Sequence, residues 1–163
     1  MTARRLFLLG AASLIAGCGF ELRRAPELRF KTVYLSGFKP YSPLAEELRR
    51  QIASTTTTRV VETPATAEVI LEGLADKRDK GVVVSTAAGQ VREFQLRLAL
   101  SFSLRTATGK ALIAPTEIAL TRDMTYNERD ALGKEQEEDM LYRAMQTDIA
   151  GQVLRRLAAV RSL

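Results

Sequence analysis

From Phe94 to Leu104 every second residue is large and apolar: Phe94, Leu96, Leu98, Leu100, Phe102 and Leu104. The residues that alternate with them, Gln95, Arg97, Ala99, Ser101, Ser103 and Arg105, are polar or small. Successive side chains of a strand point to opposite faces of its sheet, so this run predicts a strand with one face in a core and the other in water. The rest of the chain must then supply more strands, and a layer that covers only the apolar face.

The candidates are visible on both sides of the run. Phe30 to Ser36 reads as a first strand, broken by Gly37, Pro40 and Pro43. Ser42 before Pro43 suits an N-cap and first helical position, and Leu44, Leu48 and Ile52 recur every four residues, which predicts a helix from about Pro43 to Ala53. Arg59 to Glu62 is strand-like and Pro64 closes it. Val69 to Leu74 and Val82 to Val84 are apolar patches separated by Asp76-Lys77-Arg78-Asp79-Lys80, so they read as one long interrupted strand or two, ending in a turn near Gly89. Beyond the alternating run, Thr106 to Gly109 makes a hairpin loop. A return strand from Leu112 to about Thr125 follows, with Ile118 and Leu120 inward and Pro115 at an edge or bulge because proline has no ladder donor. From about Glu128 to Val160 the chain is amphipathic, with Leu141, Met145, Ile149, Val153 and Leu157 at four-residue spacing, Asn127 and Asp130 as caps, and Gly133 as a plausible break. Such a helix reaches about 50 Å, close to the length of a strand of about 15 residues, so it can lie along the hairpin. The expected fold is an α+β two-layer sandwich, with two helices packed on one face of a four- or five-stranded mixed, largely antiparallel sheet.

The N-terminus carries a different signal. Arg4 and Arg5 precede a short apolar run from Leu6 to Ala16, and Ile15-Ala16-Gly17-Cys18 places the chain's single cysteine directly behind it. The run is too short to span a bilayer, and the arrangement reads as a bacterial lipoprotein signal cleaved before Cys18. The Cys18 thiol would then take a diacylglycerol, and the freed amine a further acyl chain, which gives stable anchoring. Arg4-Arg5-Leu6-Phe7-Leu8 also resembles a twin-arginine export signal, with Ala3 where Ser or Thr is expected; general secretion is the better fit. The organisation expected is a signal peptide over 1–17, a lipidated tether over 18–29 and a single α+β domain over 30–163.

Composition removes most chemistry. The chain has no histidine, and acylation would consume its one cysteine, which leaves no Ser-His-Asp or Cys-His pair, no His or Cys metal site and no disulfide. Glu135, Glu137, Glu138 and Asp139 fall at the start of the last helix, where they complement its dipole and are expected to face water. Gly81, Gly89 and Gly109 stand singly and read as turn glycines. No enzyme and no cofactor are expected. The two leader arginines come off 24 basic residues set against 19 acidic ones, so the mature domain is nearly balanced, and no aromatic-basic pattern suits nucleic acid.

Several stretches, in order along the chain, carry a family resemblance: Cys18-Gly19-Phe20-Glu21-Leu22-Arg23, Gly89-Gln90, Glu93-Phe94, Arg122 with Tyr126, Ala131-Leu132 and Glu138-Asp139-Met140. With this element order they resemble the LPS-assembly lipoprotein family LptE over nearly the whole mature chain. The resemblance implies an outer-membrane lipoprotein, facing the periplasm, that plugs the LptD β-barrel, assists its assembly and contacts lipopolysaccharide as it passes outward. Lys134 matches a basic position of the family's loop before the last helix. Arg92 lies near the strand-turn tip that the family uses, while Ala87 and Ala88 occupy that tip where some members carry a basic residue. Arg92 and Lys134 are therefore the candidate lipopolysaccharide contacts. The alternative is a periplasm-facing accessory lipoprotein of another envelope lipid-transport complex.

Overall fold

The computed structural model describes residues 26–55 and 57–161, so the signal segment and Cys18 lie outside the described residues. Five strands and two helices follow in the order β1 (Thr32–Ser36), α1 (Pro43–Ala53), β2 (Arg59–Val61), β3 (Val69–Ser85), β4 (Val91–Thr106), β5 (Ala111–Thr125) and α2 (Ala131–Ala158). They form one sheet in the order β2-β1-β3-β4-β5. β1 pairs parallel with β2 and β3, whereas β3, β4 and β5 are antiparallel neighbours. The parallel β1–β2 pair follows from its connection, since only a crossover such as α1 returns the chain to the same end of the sheet.

The alternating run is the central long strand. Leu96, Leu98, Leu100, Phe102 and Leu104 are buried, and both helices pack on that face. Each fully buried leucine contributes roughly 1.5–3 kcal/mol, so this one strand supplies much of the domain's burial. Helix α1 has the expected bounds: the Ser42 hydroxyl accepts from the Ala45 amide at 3.2 Å, Pro43 opens the first turn, and Leu44, Leu48 and Ile52 are buried. Ser42 also donates to Asp76 at 2.6 Å, which ties the helix entry to β3. β5 is an edge strand, as β2 is at the other side, and its register with β4 skips between the Phe102–Thr116 and Leu104–Ile113 pairs, at Ala114 and Pro115. A proline without a ladder donor is accommodated there.

Three expectations are corrected. β3 is one strand of 17 residues, as one of the two alternatives had it, but the charged run Asp76 to Lys80 does not interrupt it and Gly81, expected in a turn, lies inside it opposite Gln95; register shifts fall instead between Gly73 and Ala75 and near Val82 to Ser85. Gly133 does not break the last helix but lies in its first turn, where the Asp130 carboxylate occupies the space a Cβ would take. The four-residue row on α2 holds from Met145 to Leu157, but Leu141 is only partly buried and Tyr142 takes its place in the core. At 100° per residue such a row drifts by about 40° per step, so its first member has rotated off the sheet.

Candidate functional site

β1 pairs with β3 only as far as Ser36–Glu72, so beyond Leu74 the strands β3, β4 and β5 continue as a three-stranded extension. Its turn, at Thr86 to Gly89, is the tip of the molecule; Gly89 has φ +78°, and its amide donates to the Thr86 carbonyl. On the helix-facing side of this extension β3 presents Asp76, Arg78 and Lys80, opposite Leu100, Leu98 and Leu96 of β4. Charges there would be costly under an apolar helix, but the first turns of α2 carry acids. Glu138 pairs with Arg78 at 3.4 Å and with Lys80 at 2.6 Å, and Asp139 pairs with Arg78 at 3.4 Å. The Arg78 guanidinium lies 3.7 Å from the centroid of the Tyr142 ring, and Lys80 lies 4.2 Å from that of Phe94. Tyr142 donates its hydroxyl to the Asp79 carbonyl at 2.7 Å, and burial pushes its phenol pKa upward, which keeps the donor protonated. Glu138 is therefore not a water-facing acid of the helix start, as expected, but a clamp with a side chain only 16% exposed.

The two candidate lipopolysaccharide contacts flank one dipeptide at the tip end. The Arg92 carbonyl accepts from the Tyr126 amide at 2.8 Å, and Lys134 donates to the Thr125 hydroxyl at 3.2 Å. Their charges differ in availability. Arg92 is exposed, forms no ion pair among the described residues, and lines a cleft of about 320 Å³ with Gln90, Val91, Asn127, Glu128 and Arg129. Lys134 pairs with Glu137 at 2.7 Å and its side chain is 17% exposed. Arg129, a second cation in the Arg92 cleft, was not singled out in the sequence because nothing local distinguishes it from ordinary surface charge.

The open face of the sheet is polar and largely self-neutralised. Arg97 pairs with Glu117 at 3.2 Å, Gln95 donates to Asp123 at 3.1 Å, and Arg105 lies 4.0 Å from Glu72. Exposed pairs of this kind each contribute about 0–1 kcal/mol, so they can be exchanged for a partner's groups at little cost. Among the described residues no helix is long and apolar enough to cross a membrane, and no group of three or more His, Cys, Asp or Glu is placed to hold a metal ion.

A model of the family LptE, described as Lipopolysaccharide-assembly, matches residues 30–157. The chain is 27% identical over 158 residues to the LPS-assembly lipoprotein LptE of Photorhabdus laumondii, an alignment covering 95% of this chain and 85% of that one. It is 29% identical over 162 residues to the protein of the same name from Pectobacterium atrosepticum, covering 96% and 86%. Among solved structures, a lipoprotein B from Nitrosomonas europaea superposes with a TM-score of 0.74 at 33% identity, covering 86% of this chain and 91% of that one. The rare lipoprotein B of Shewanella oneidensis shares the fold with a TM-score of 0.66 at 22% identity, covering 79% and 95%.

Proposed function

This chain belongs to the LptE lipopolysaccharide-assembly family, and from that premise we propose that it is an outer-membrane lipoprotein that plugs and helps assemble the LptD β-barrel during lipopolysaccharide transport. The match over residues 30–157 carries the reading. The geometry supports it. A slab whose long strands rise about 50 Å can fill a wide lumen, and its polar open face suits a hydrated barrel wall. Coexpression with a tagged LptD barrel and purification in nonionic detergent is expected to yield a stable one-to-one complex. Recovery with an inner-membrane transporter as sole partner would favour an accessory lipoprotein of another complex instead.

Anchoring in this reading is through Cys18. Cys18→Ser is expected to accumulate as an uncleaved precursor or a soluble periplasmic form, whereas the wild-type protein fractionates with the outer membrane. Mass spectrometry of the mature N-terminus checks the chemistry, and an unmodified Cys18 or cleavage elsewhere would remove the anchor from the account.

Lipopolysaccharide contact is assigned to Arg92 and Lys134 at the tip end, with Arg92 the more available charge. A charge-assisted hydrogen bond to a phosphate is worth about 1.5–3 kcal/mol, so Arg92→Asp with Lys134→Asp is expected to lower lipopolysaccharide affinity by more than about tenfold. Arg92→Asp alone leaves the melting temperature unchanged. Adding Lys134→Asp lowers it slightly, because the pair with Glu137 and the bond to Thr125 are lost. Unchanged affinity in the folded double variant would leave a purely structural plug.

A further inference from the structure

At the end of the slab away from the tip, the last turn of α2 and the start of β5 border a shallow, open cleft of about 400 Å³ lined by Leu112, Ile113, Thr116, Arg156, Ala159 and Val160. Its polar anchor is Arg156. The guanidinium carbon lies 5.9 Å from the centroid of the Phe102 ring, beneath the helix. Its Nη1 atom is buried without a hydrogen-bond partner, and no carboxylate pairs with this cation among the described residues. What sets this cation apart among the described residues is that buried Nη1: Arg92 is likewise without an ion pair, but it is exposed. A buried cationic N–H without an acceptor is a standing cost, which an anion in the cleft would relieve once the side chain turns toward it. The Thr116 hydroxyl is already committed to the Ala114 carbonyl at 2.8 Å, and the other lining side chains are apolar. Arg29 and Arg161, joined by a hydrogen bond of 3.4 Å from the Arg29 guanidinium to the Arg161 carbonyl, add positive charge at the same end without ion pairs of their own.

We propose that this cleft binds an anionic phospholipid, with the lipid phosphate on Arg156 and the first methylenes of the chain against Leu112, Ile113 and Val160. The volume suits one headgroup and the start of a chain rather than a multiply acylated disaccharide. The inference goes beyond the plug reading, and the site lies at the opposite end of the sheet from Arg92. The register of β1 with β3 places it at the end where the chain enters the domain near Leu28 and Phe30, the side a lipid-anchored tether would hold against a leaflet.

Native mass spectrometry of the full-length lipoprotein in nonionic detergent, with phosphatidylglycerol, phosphatidylcholine or inorganic phosphate added, tests the proposal. One phosphatidylglycerol should be retained per protein. Arg156→Gln should reduce that adduct about tenfold, the loss expected for one charge-assisted bond, whereas Arg155→Gln, on the exposed side of the same turn, should not. Ala159→Glu, at an exposed position on the cleft, offers Arg156 a carboxylate of its own and should displace the lipid without unfolding the domain. Arg92→Asp should leave retention unchanged, which separates this site from lipopolysaccharide binding at the tip. Equal retention of phosphatidylcholine, binding of inorganic phosphate alone, or an undiminished adduct in folded Arg156→Gln would each overturn the assignment.

Discussion

Leu98→Asp is expected to leave the domain unfolded at room temperature. Leu98 is 2% exposed at the centre of β4, paired with Arg78 on one side and Leu120 on the other. An unpaired carboxylate there costs several kcal/mol, comparable with the whole stability of a domain this size. Arg78 does not rescue it, because its guanidinium is already committed to Glu138, Asp139 and the Tyr142 ring. Arg97→Ala, one residue away on the open face, loses only an exposed pair with Glu117 and should melt within a few degrees of the wild type. Circular dichroism melts of the two variants check the register, since a strand displaced by one residue would reverse their order.

The second large effect belongs to a glycine. Gly37 has φ +75°, and a Cβ built on it would stand 2.3 Å from the carbonyl oxygen of Gly73. Gly37→Ala therefore combines left-handed strain of about 1–2 kcal/mol with a collision against backbone that cannot rotate away. A loss of about 3 kcal/mol or more is expected, or roughly 10 °C in melting temperature. Gly89→Ala is the internal control. Its φ is +78° but nothing lies within 4 Å of the added carbon, so it bears the strain alone. Equal melting temperatures for the two variants would show that β1 and β3 do not approach so closely at Gly37 and Gly73.

Much of this fold was legible wherever the burial pattern is set by one element against an apolar layer. β4 shows the period of two, α1 carries both its cap and its stripe, and Pro115 marks the irregular register of β5. The signal failed where burial depends on a partner far away in the chain. Arg78 and Lys80 read as an interruption of β3 because a core-facing strand position is expected to be apolar; they are tolerated on the helix-facing side because their side chains stay 47% and 35% exposed and because Glu138 and Asp139, about sixty residues later, neutralise them. For the same reason Glu138 read as solvated helix charge, whereas Asp139 does remain exposed. At the two candidate contacts the sequence shows the charges but not their surroundings. Arg92 is exposed at the tip end, but no local feature of the sequence shows that Lys134 is already engaged by Glu137 or that Arg129 joins Arg92. The unmatched Nη1 of Arg156 is a tertiary fact with no sequence counterpart.

β3 joins two kinds of cohesion end to end. Its first half, Val69 and Leu71, is held by the hydrophobic effect in the main core, whereas the half beyond Leu74 is held to α2 largely by Arg78, Lys80, Glu138 and Asp139. Apolar burial is insensitive to ionic strength, while partly exposed ion pairs weaken as the Debye length falls to about 8 Å at physiological salt. The slab thus has a firm heel and a compliant toe, and dissolved ions act chiefly on the toe. On the proposed plug reading, that division would let the heel hold its place in the barrel while the toe adjusts.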